Sequence, residues 1–235
     1  MNYAILLSGG KGTRIGSDIP KQYISTGGQM MISYSLKTLI ESNMIDAVYI
    51  VAEDEWREKI SEDIKNADEI DLDKIKGFVA PGSTRQMSIV NGMKEIINAA
   101  CDVSDNDTVL IHDAARPFLS EALLNDCYKA LSGHEGVMPV LRMKDTVYES
   151  KDGKTVSGLL KREEIFAGQA PELFLLSRYH KANMDLIPEK ILAVNGASEP
   201  AIFAGMDVAM IPGDEGNFKV TTDADLARFR EITEA

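Results

Sequence analysis

Short apolar runs rich in β-branched residues recur along the chain at YAILLS (3–8), AVYIVA (47–52), IKGFVA (75–80), TVLIHD (108–113) and GVMPVL (136–141). Between them lie longer stretches of helical period. Ile32, Leu36, Leu39 and Ile40 share one helical face, and Ile89, Val90, Met93, Ile96 and Ile97 share another within 83–100. Nearly continuous apolar strands alternating with amphipathic helices predict βαβ units. The fold class expected is α/β, a Rossmann-like doubly wound and mainly parallel sheet with helices on both faces.

Two stretches break this rhythm. KDTVYESKDGKTVSGLL (144–160) holds two polar strand-like runs around Asp152-Gly153, a hairpin signal, and predicts a β-arm that leaves the main sheet. Further on, DVAMIP (207–212) and FKV (218–220) read as strands, followed by a helix over TTDADLARFREIT with Thr222 as its cap and Asp225 at the third helical position. Neither a repeat nor a linker composition interrupts the chain, so a single domain over 1–235 with an embedded arm at 144–160 is the expected division.

Charge narrows the choice of ligand. The 235 residues carry 37 acidic and 25 basic side chains, a net charge of −12, which excludes a bulk electrostatic attraction to nucleic acid or to an anionic membrane. An anionic small molecule would need a local group of cations. No apolar run approaches the ~18 residues of a membrane span, and the N-terminus lacks a signal-peptide pattern, so the expected compartment is the cytoplasm. Cys101 and Cys127 lie far apart without a CxxC partner and read as buried thiols rather than a metal site or disulfide.

Such a local group of cations stands at the start. After the first apolar run, Ser8, Gly9, Gly10 and Gly12 are interleaved with Lys11 and Arg14, and Lys21 follows Pro20. A strand that runs into a glycine-rich turn with cations suggests phosphate binding, because glycine lets backbone N–H groups approach an anion closely. Two familiar phosphate loops do not fit. GGKGTR has arginine where a P-loop requires Gly-Lys-Ser/Thr, and a dinucleotide fingerprint counted from Gly10 and Gly12 meets Ile15 where its third glycine should stand. The spacing of Arg14 and Lys21 suits a loop folded over a polyphosphate better than one helix face.

Taken in order, SGGKGTRIG…PKQY (8–23), PGSTRQMSIVNGM (81–93), HDAARPF (112–118), KDT (144–146), Arg162 with GQAPELF (168–174), and NFKVTTDADL (217–226) resemble the cytidylyltransferases that act on polyol phosphates, the 2-C-methyl-D-erythritol 4-phosphate and ribitol-5-phosphate enzymes. The resemblance covers essentially the whole chain. It implies a nucleotide-diphospho-sugar transferase-like fold and a reaction in which CMP passes from CTP to a polyol phosphate with release of pyrophosphate. That transfer demands positioning and charge neutralisation rather than a general base, since a phosphate monoester, with its second pKa near ~6, is already largely ionised at neutral pH.

By the resemblance, Ser8, Gly9, Gly10 and Gly12 cradle the triphosphate while Arg14 and Lys21 stabilise the pentacoordinate transition state. Gly82, Arg85 and Ser88 are assigned to the cytosine and ribose. Asp113 is assigned to a polyol hydroxyl or to the Mg2+ that accompanies CTP, and Arg116 either to ligand or to an ion pair that fixes its loop. His112 is expected to be structural. Thr146 and Arg162 would reach a neighbouring subunit's site, which with the exposed apolar residues of the arm implies a homodimer. Lys219 would supply another cation for the substrate phosphate.

Three positions depart from the family's pattern. Ser83 stands where methylerythritol enzymes usually have an acidic residue, Ala170-Pro171-Glu172 stands for a Thr-Pro-Gln, and NGASEPAIFAG (195–205) lacks a Thr-Asp pair. Asn195 and Glu199 are the candidate substitutes for that pair. A glycosyltransferase reading of Asp223-Ala224-Asp225 as a DxD metal motif competes, and is countered by their place at the start of a predicted helix. A nucleotide-binding protein without catalysis is the third reading, countered by the presence of Arg14 and Lys21.

Overall fold

The computed structural model describes residues 1–10, 19–67, 72–100 and 102–234. In chain order the elements are β1 (Asn2–Leu7), β2 (Ser25–Thr26), β3 (Gln29–Met30), α1 (Met31–Glu41), β4 (Ala47–Val51), α2 (Asp54–Ala67), β5 (Ile75–Val79), α3 (Arg85–Ala99), β6 (Thr108–Asp113), α4 (Glu121–Ala130) and β7 (Gly136–Arg142). They continue with β8 (Tyr148–Glu149), β9 (Gly158–Leu159), β10 (Phe166–Gly168), β11 (Glu172–Leu175), α5 (Leu176–Met184), α6 (Glu199–Phe203), β12 (Val208–Pro212) and α7 (Asp223–Thr233).

The strands β5, β4, β1 and β6 lie side by side in parallel. They are apolar on both faces because both faces are covered. Ala4, Leu6, Val48, Ile50 and Leu110 pack with Leu36, Leu39, Ile60 and Leu124 from α1, α2 and α4. On the other face Tyr3, Ile5, Tyr49, Val51, Val109 and Ile111 pack with Ile89, Met93 and Ile96 of α3 and Tyr179 of α5. Each helix thus offers one apolar stripe to one side of the sheet.

Beyond β6 two strands run against the rest. β11 runs antiparallel to β6 and β7, β10 runs antiparallel to β7, and β12 is parallel to β7. The expectation of a mainly parallel sheet therefore holds, since β7 and β12 run with β1, β4, β5 and β6, and the sheet is mixed only through β10 and β11, which oppose them. FKV (218–220) is not a strand. A backbone bond from the Val220 N–H to the Ala115 carbonyl (2.8 Å) ties it down where a ladder would be needed. The expected arm is present as a separate antiparallel pair, β8 with β9, closed by Asp152, whose carboxylate accepts from the Lys154 and Thr155 N–H groups (both 2.8 Å).

At the C-terminus, α7 begins with the capping box expected from Thr222 and Asp225. Its Leu226 and Phe229 pack against Ile24, Met31 and Val220. That third cluster fixes the segment carrying Lys219 beside the sheet.

Candidate functional site

A doubly wound sheet binds ligands beyond the carboxyl ends of its strands, at the point where the strand order reverses. Here β1 lies between β4 and β6, and a cleft of about 570 Å³ opens above it. Its lining comes from the ends of four parallel strands: Ser8, Gly9 and Gly10 after β1, Glu53 after β4, Pro81 to Arg85 after β5, and Asp113 at the end of β6. Lys21, Ser88, Lys219 and Thr221 also line it.

The glycines do different work. A Cβ on Gly9 would lie 2.6 Å from the Pro81 ring, and one on Gly82 would lie 2.5 Å from the Met87 Cβ. These two glycines let the loops after β1 and β5 close on each other and on α3. A Cβ on Gly10 would meet no atom of the described residues within 4 Å. Ser8 is anchored by its Oγ–H donating to the Val51 carbonyl (2.6 Å). The chain then returns to the same place, since the Tyr23 hydroxyl donates to the Ser8 carbonyl (2.9 Å) and the Gln22 amide donates to the Gly10 carbonyl (2.7 Å). Tyr23 in turn stacks on Trp56 with ring centroids 4.2 Å apart. Gln22 and Tyr23 stand inside the PKQY motif, yet sequence reasoning singled out only Lys21 there. Gly12 and Arg14 lie outside the described residues.

On the opposite wall, Thr84 caps α3 by accepting from the Met87 N–H (3.1 Å), and the Ser88 hydroxyl donates back to the Thr84 carbonyl while accepting from the Gly82 N–H (both 3.0 Å). This fixes Arg85 at the first position of the helix. Its guanidinium donates to Asp113 Oδ1 through Nε (3.0 Å) and Nη2 (2.9 Å), while Lys219 Nζ donates to Asp113 Oδ2 (2.8 Å). Burial alone would raise the Asp113 carboxyl, but Arg85 and Lys219 outweigh it and hold the group well below the usual carboxylate range. Asp113 is therefore an anion with one cation on each oxygen. As a metal ligand it does not fit in this arrangement, and no cluster of three metal-ligating side chains occurs among the described residues.

Arg116 is not among the residues that line the cleft. Its Nη1 donates to the Asn217 carbonyl (2.8 Å), which joins the HDAARPF loop to the segment before α7. His112 is fully buried with Nε2 3.0 Å from the Arg116 carbonyl, and burial pushes it down to about 4, so the ring is neutral at pH 7. Thr146 is exposed on the arm, and Arg162 donates to the Lys144 carbonyl (3.0 Å) at its base. Neither lines the cleft. Asn195 and Glu199 do not reach it either, for the Glu199 carboxylate accepts from the Asn195 and Gly196 N–H groups (3.0 and 2.7 Å) and closes its own turn. In that segment Ser198 is buried along with Ala197 and Ala201, and its hydroxyl donates to the buried Glu172.

Comparison with known proteins gives a consistent result. A family model described as 2-C-methyl-D-erythritol 4-phosphate cytidylyltransferase (IspD) matches residues 3–234. The chain is 34% identical over 235 residues to the 2-C-methyl-D-erythritol 4-phosphate cytidylyltransferase of Thermotoga neapolitana, covering 99% of this chain and 96% of that one. It is 28% identical over 236 residues to the ribitol-5-phosphate cytidylyltransferase of Streptococcus agalactiae serotype III, covering 100% and 96%. Among solved structures, the 4-diphosphocytidyl-2C-methyl-D-erythritol synthase of Anaerococcus prevotii superposes with a TM-score of 0.80 at 26% identity, over 100% of this chain and 96% of that one.

Proposed function

The chain belongs to the 2-C-methyl-D-erythritol 4-phosphate cytidylyltransferase family, and from that premise we propose that it transfers CMP from CTP to 2-C-methyl-D-erythritol 4-phosphate. The observation that supports this reading is the cleft wall on which Arg85 and Lys219 grip Asp113, facing the glycine turn after β1, with Lys21 also lining the cavity. Cations from three separate elements converge there in a chain of net charge −12. A nucleoside triphosphate and a phosphate monoester are the anions such a group can hold together.

In the reaction, an oxygen of the acceptor phosphate attacks the α-phosphorus of CTP. The new P–O bond forms as the α–β bridging bond breaks, and the electron pair leaves with pyrophosphate. No proton need move, because the attacking oxygen is already ionised. The protein's task is to hold two anions in line and to neutralise the transferring phosphoryl group, which falls to Lys21 and Arg14. An arriving phosphate competes with Asp113 for Lys219, and the carboxylate so released is free to accept from a polyol hydroxyl. Magnesium, on this reading, accompanies the triphosphate and screens its charge.

Thr146 and Arg162 are proposed to serve a second subunit's cleft, because in their own chain they stand on the exposed arm with Val156 and Leu159. The working unit is then a homodimer joined through the arms. The reading also carries a cytoplasmic location, and no helix among the described residues is long and apolar enough to cross a membrane.

The test is to supply the purified protein with CTP and magnesium, offer 2-C-methyl-D-erythritol 4-phosphate and ribitol 5-phosphate in parallel, and follow pyrophosphate release. Faster release with the methylerythritol substrate is expected. Faster release with ribitol 5-phosphate would overturn the acceptor, and CTP binding without release under either would overturn the enzymatic reading.

A further inference from the structure

The two departures at Ala170-Pro171-Glu172 and at 195–205 meet at one point beside the cleft. Glu172 opens β11 and pairs with Ile111, two residues before Asp113 on β6. Its side chain is buried, with Ser198 donating to Oε2 and the Arg85 Nη2 4.0 Å from Oε1. A second route joins the same places. Gln86, next to Arg85 on α3, donates to the Tyr179 hydroxyl (3.0 Å), which donates to the Ala197 carbonyl (2.7 Å). The first turn of α3 and residues 197–198 are thus tied together twice, and Glu172 lies in the tie that ends on the guanidinium.

A carboxylate removed from water is costly unless a cation and hydrogen bonds compensate it. Burial raises the Glu172 carboxyl, against the opposing pull of Arg85 and Ser198. Asp113 shares its charge between Arg85 and Lys219, so one carboxylate stands against two cations. When a ligand phosphate draws Lys219 away, Arg85 feels the same attraction and has only Asp113 to hold it. A second carboxylate behind the guanidinium changes that balance.

Resting on the cytidylyltransferase reading, we propose that Glu172, oriented by Ser198, is a positioning residue that keeps the Arg85 guanidinium on Asp113 at the cleft wall while the nucleotide phosphates occupy the site. It touches neither substrate. It acts through Arg85 alone, and the segment 195–205 contributes to the nucleotide site by supplying the hydroxyl that orients it.

The experiment measures CTP binding by titration calorimetry, and kcat and KM by pyrophosphate release, on the full chain. Glu172→Gln keeps the shape and an acceptor for Ser198 but removes the charge. It is expected to weaken CTP binding about tenfold, with kcat changed by less than about threefold. Ser198→Ala should act in the same direction by about threefold, and keeps the question decidable if Glu172→Gln fails to fold. In an Arg85→Ala background, Glu172→Gln should cost less than about twofold more, because the residue through which it acts is gone. Unchanged CTP binding in Glu172→Gln, or an equal loss with and without Arg85, would overturn the positioning role. Wild-type protein that binds no CTP would instead overturn the reading under Proposed function, so the two failures are distinguishable.

Discussion

The cleft wall and the β-arm are built on opposite terms. On the wall, Arg85, Asp113 and Glu172 are rooted at the ends of a helix and two strands, each is largely removed from water, and each has its partner within the same chain. On the arm, two residues per strand form the ladder, and Tyr148, Val156 and Leu159 are 60%, 68% and 68% exposed. A two-stranded hairpin with its apolar side chains in water is marginal by itself. The difference separates two tasks. The wall has its partners within one chain, whereas the arm's apolar side chains are exposed there and, on the proposed dimer, would be the ones covered by a second chain.

That comparison is tested most severely at the wall. Lys21→Ala removes a cation from the cleft lining while leaving the sheet and its core untouched. A loss of about 10²–10³ in kcat is expected, the range seen when one preorganised charge-stabilising group is removed, with little change in melting temperature. A kcat near that of the wild type would mean that the cleft is not where phosphoryl transfer occurs. The next largest effect belongs to the arm. Val156→Asp with Leu159→Asp should shift the protein from dimer to monomer in sedimentation and raise the KM for the acceptor by about tenfold or more, with CTP affinity kept within about twofold. A monomer with unaltered acceptor KM would break the division between wall and arm.

Much of the wall was legible in the sequence because it rests on local signals. The apolar runs at 3–8, 47–52, 75–80 and 108–113 located the four parallel strands to within a residue or two, and their ends carry Ser8, Gly82 and Asp113 to one edge by topology alone. Thr222 and Asp225 announced the cap of α7, and Asp152-Gly153 announced the arm. β10 and β11 were missed because FAGQAPELFL is short, broken by Gly168 and Pro171, and without a clear alternation. Their antiparallel course is fixed by pairing with β6 and β7, which no local pattern records. The contact of Ser198 with Glu172 was hidden for the same reason. Asn195 and Glu199 looked equally suited, and only the fold shows Glu199 spent on its own turn.

Acid sharpens the comparison further, since the wall holds a buried histidine and the arm holds none. His112 in the folded chain titrates at about 4, below its ordinary 6.5, because burial disfavours the charged ring. Between those values the unfolded chain binds the additional proton, so stability falls as pH drops from 6.5 towards 4, by up to about 3 kcal/mol. Burial lowers His180 as well and acts in the same direction, so the informative quantity is the difference between wild type and His112→Asn. Asp113, whose folded carboxyl is depressed, loses its contribution only below its ordinary 3.8, and Glu172, whose carboxyl is raised, works in the opposite sense. Denaturant melts at pH 7, 5.5 and 4.5 should show a steeper loss for wild type than for His112→Asn, and parallel curves would remove the assignment of a neutral buried ring.

The smallest effect expected lies at the start of α7, where the wall ends. Asp225 Oδ2 accepts from the Thr221 N–H (2.9 Å), the Thr221 hydroxyl (2.8 Å) and the Thr222 N–H (2.8 Å). Burial would raise its carboxyl, yet these bonds hold it down to about 2. The carboxylate is committed to the cap and to Thr221, which lines the cleft two residues after Lys219. Asp223→Asn with Asp225→Asn should therefore lower stability by about 1 kcal/mol, the usual worth of a cap and its dipole interaction, which is about 2–4 °C in a chain of this size. Pyrophosphate release should persist, because the change leaves Lys219, Arg85 and Asp113 in place. Abolished activity in a protein that still melts cooperatively would mean that these aspartates hold a metal ion after all, and the cleft wall would then have to be extended to the first turn of α7.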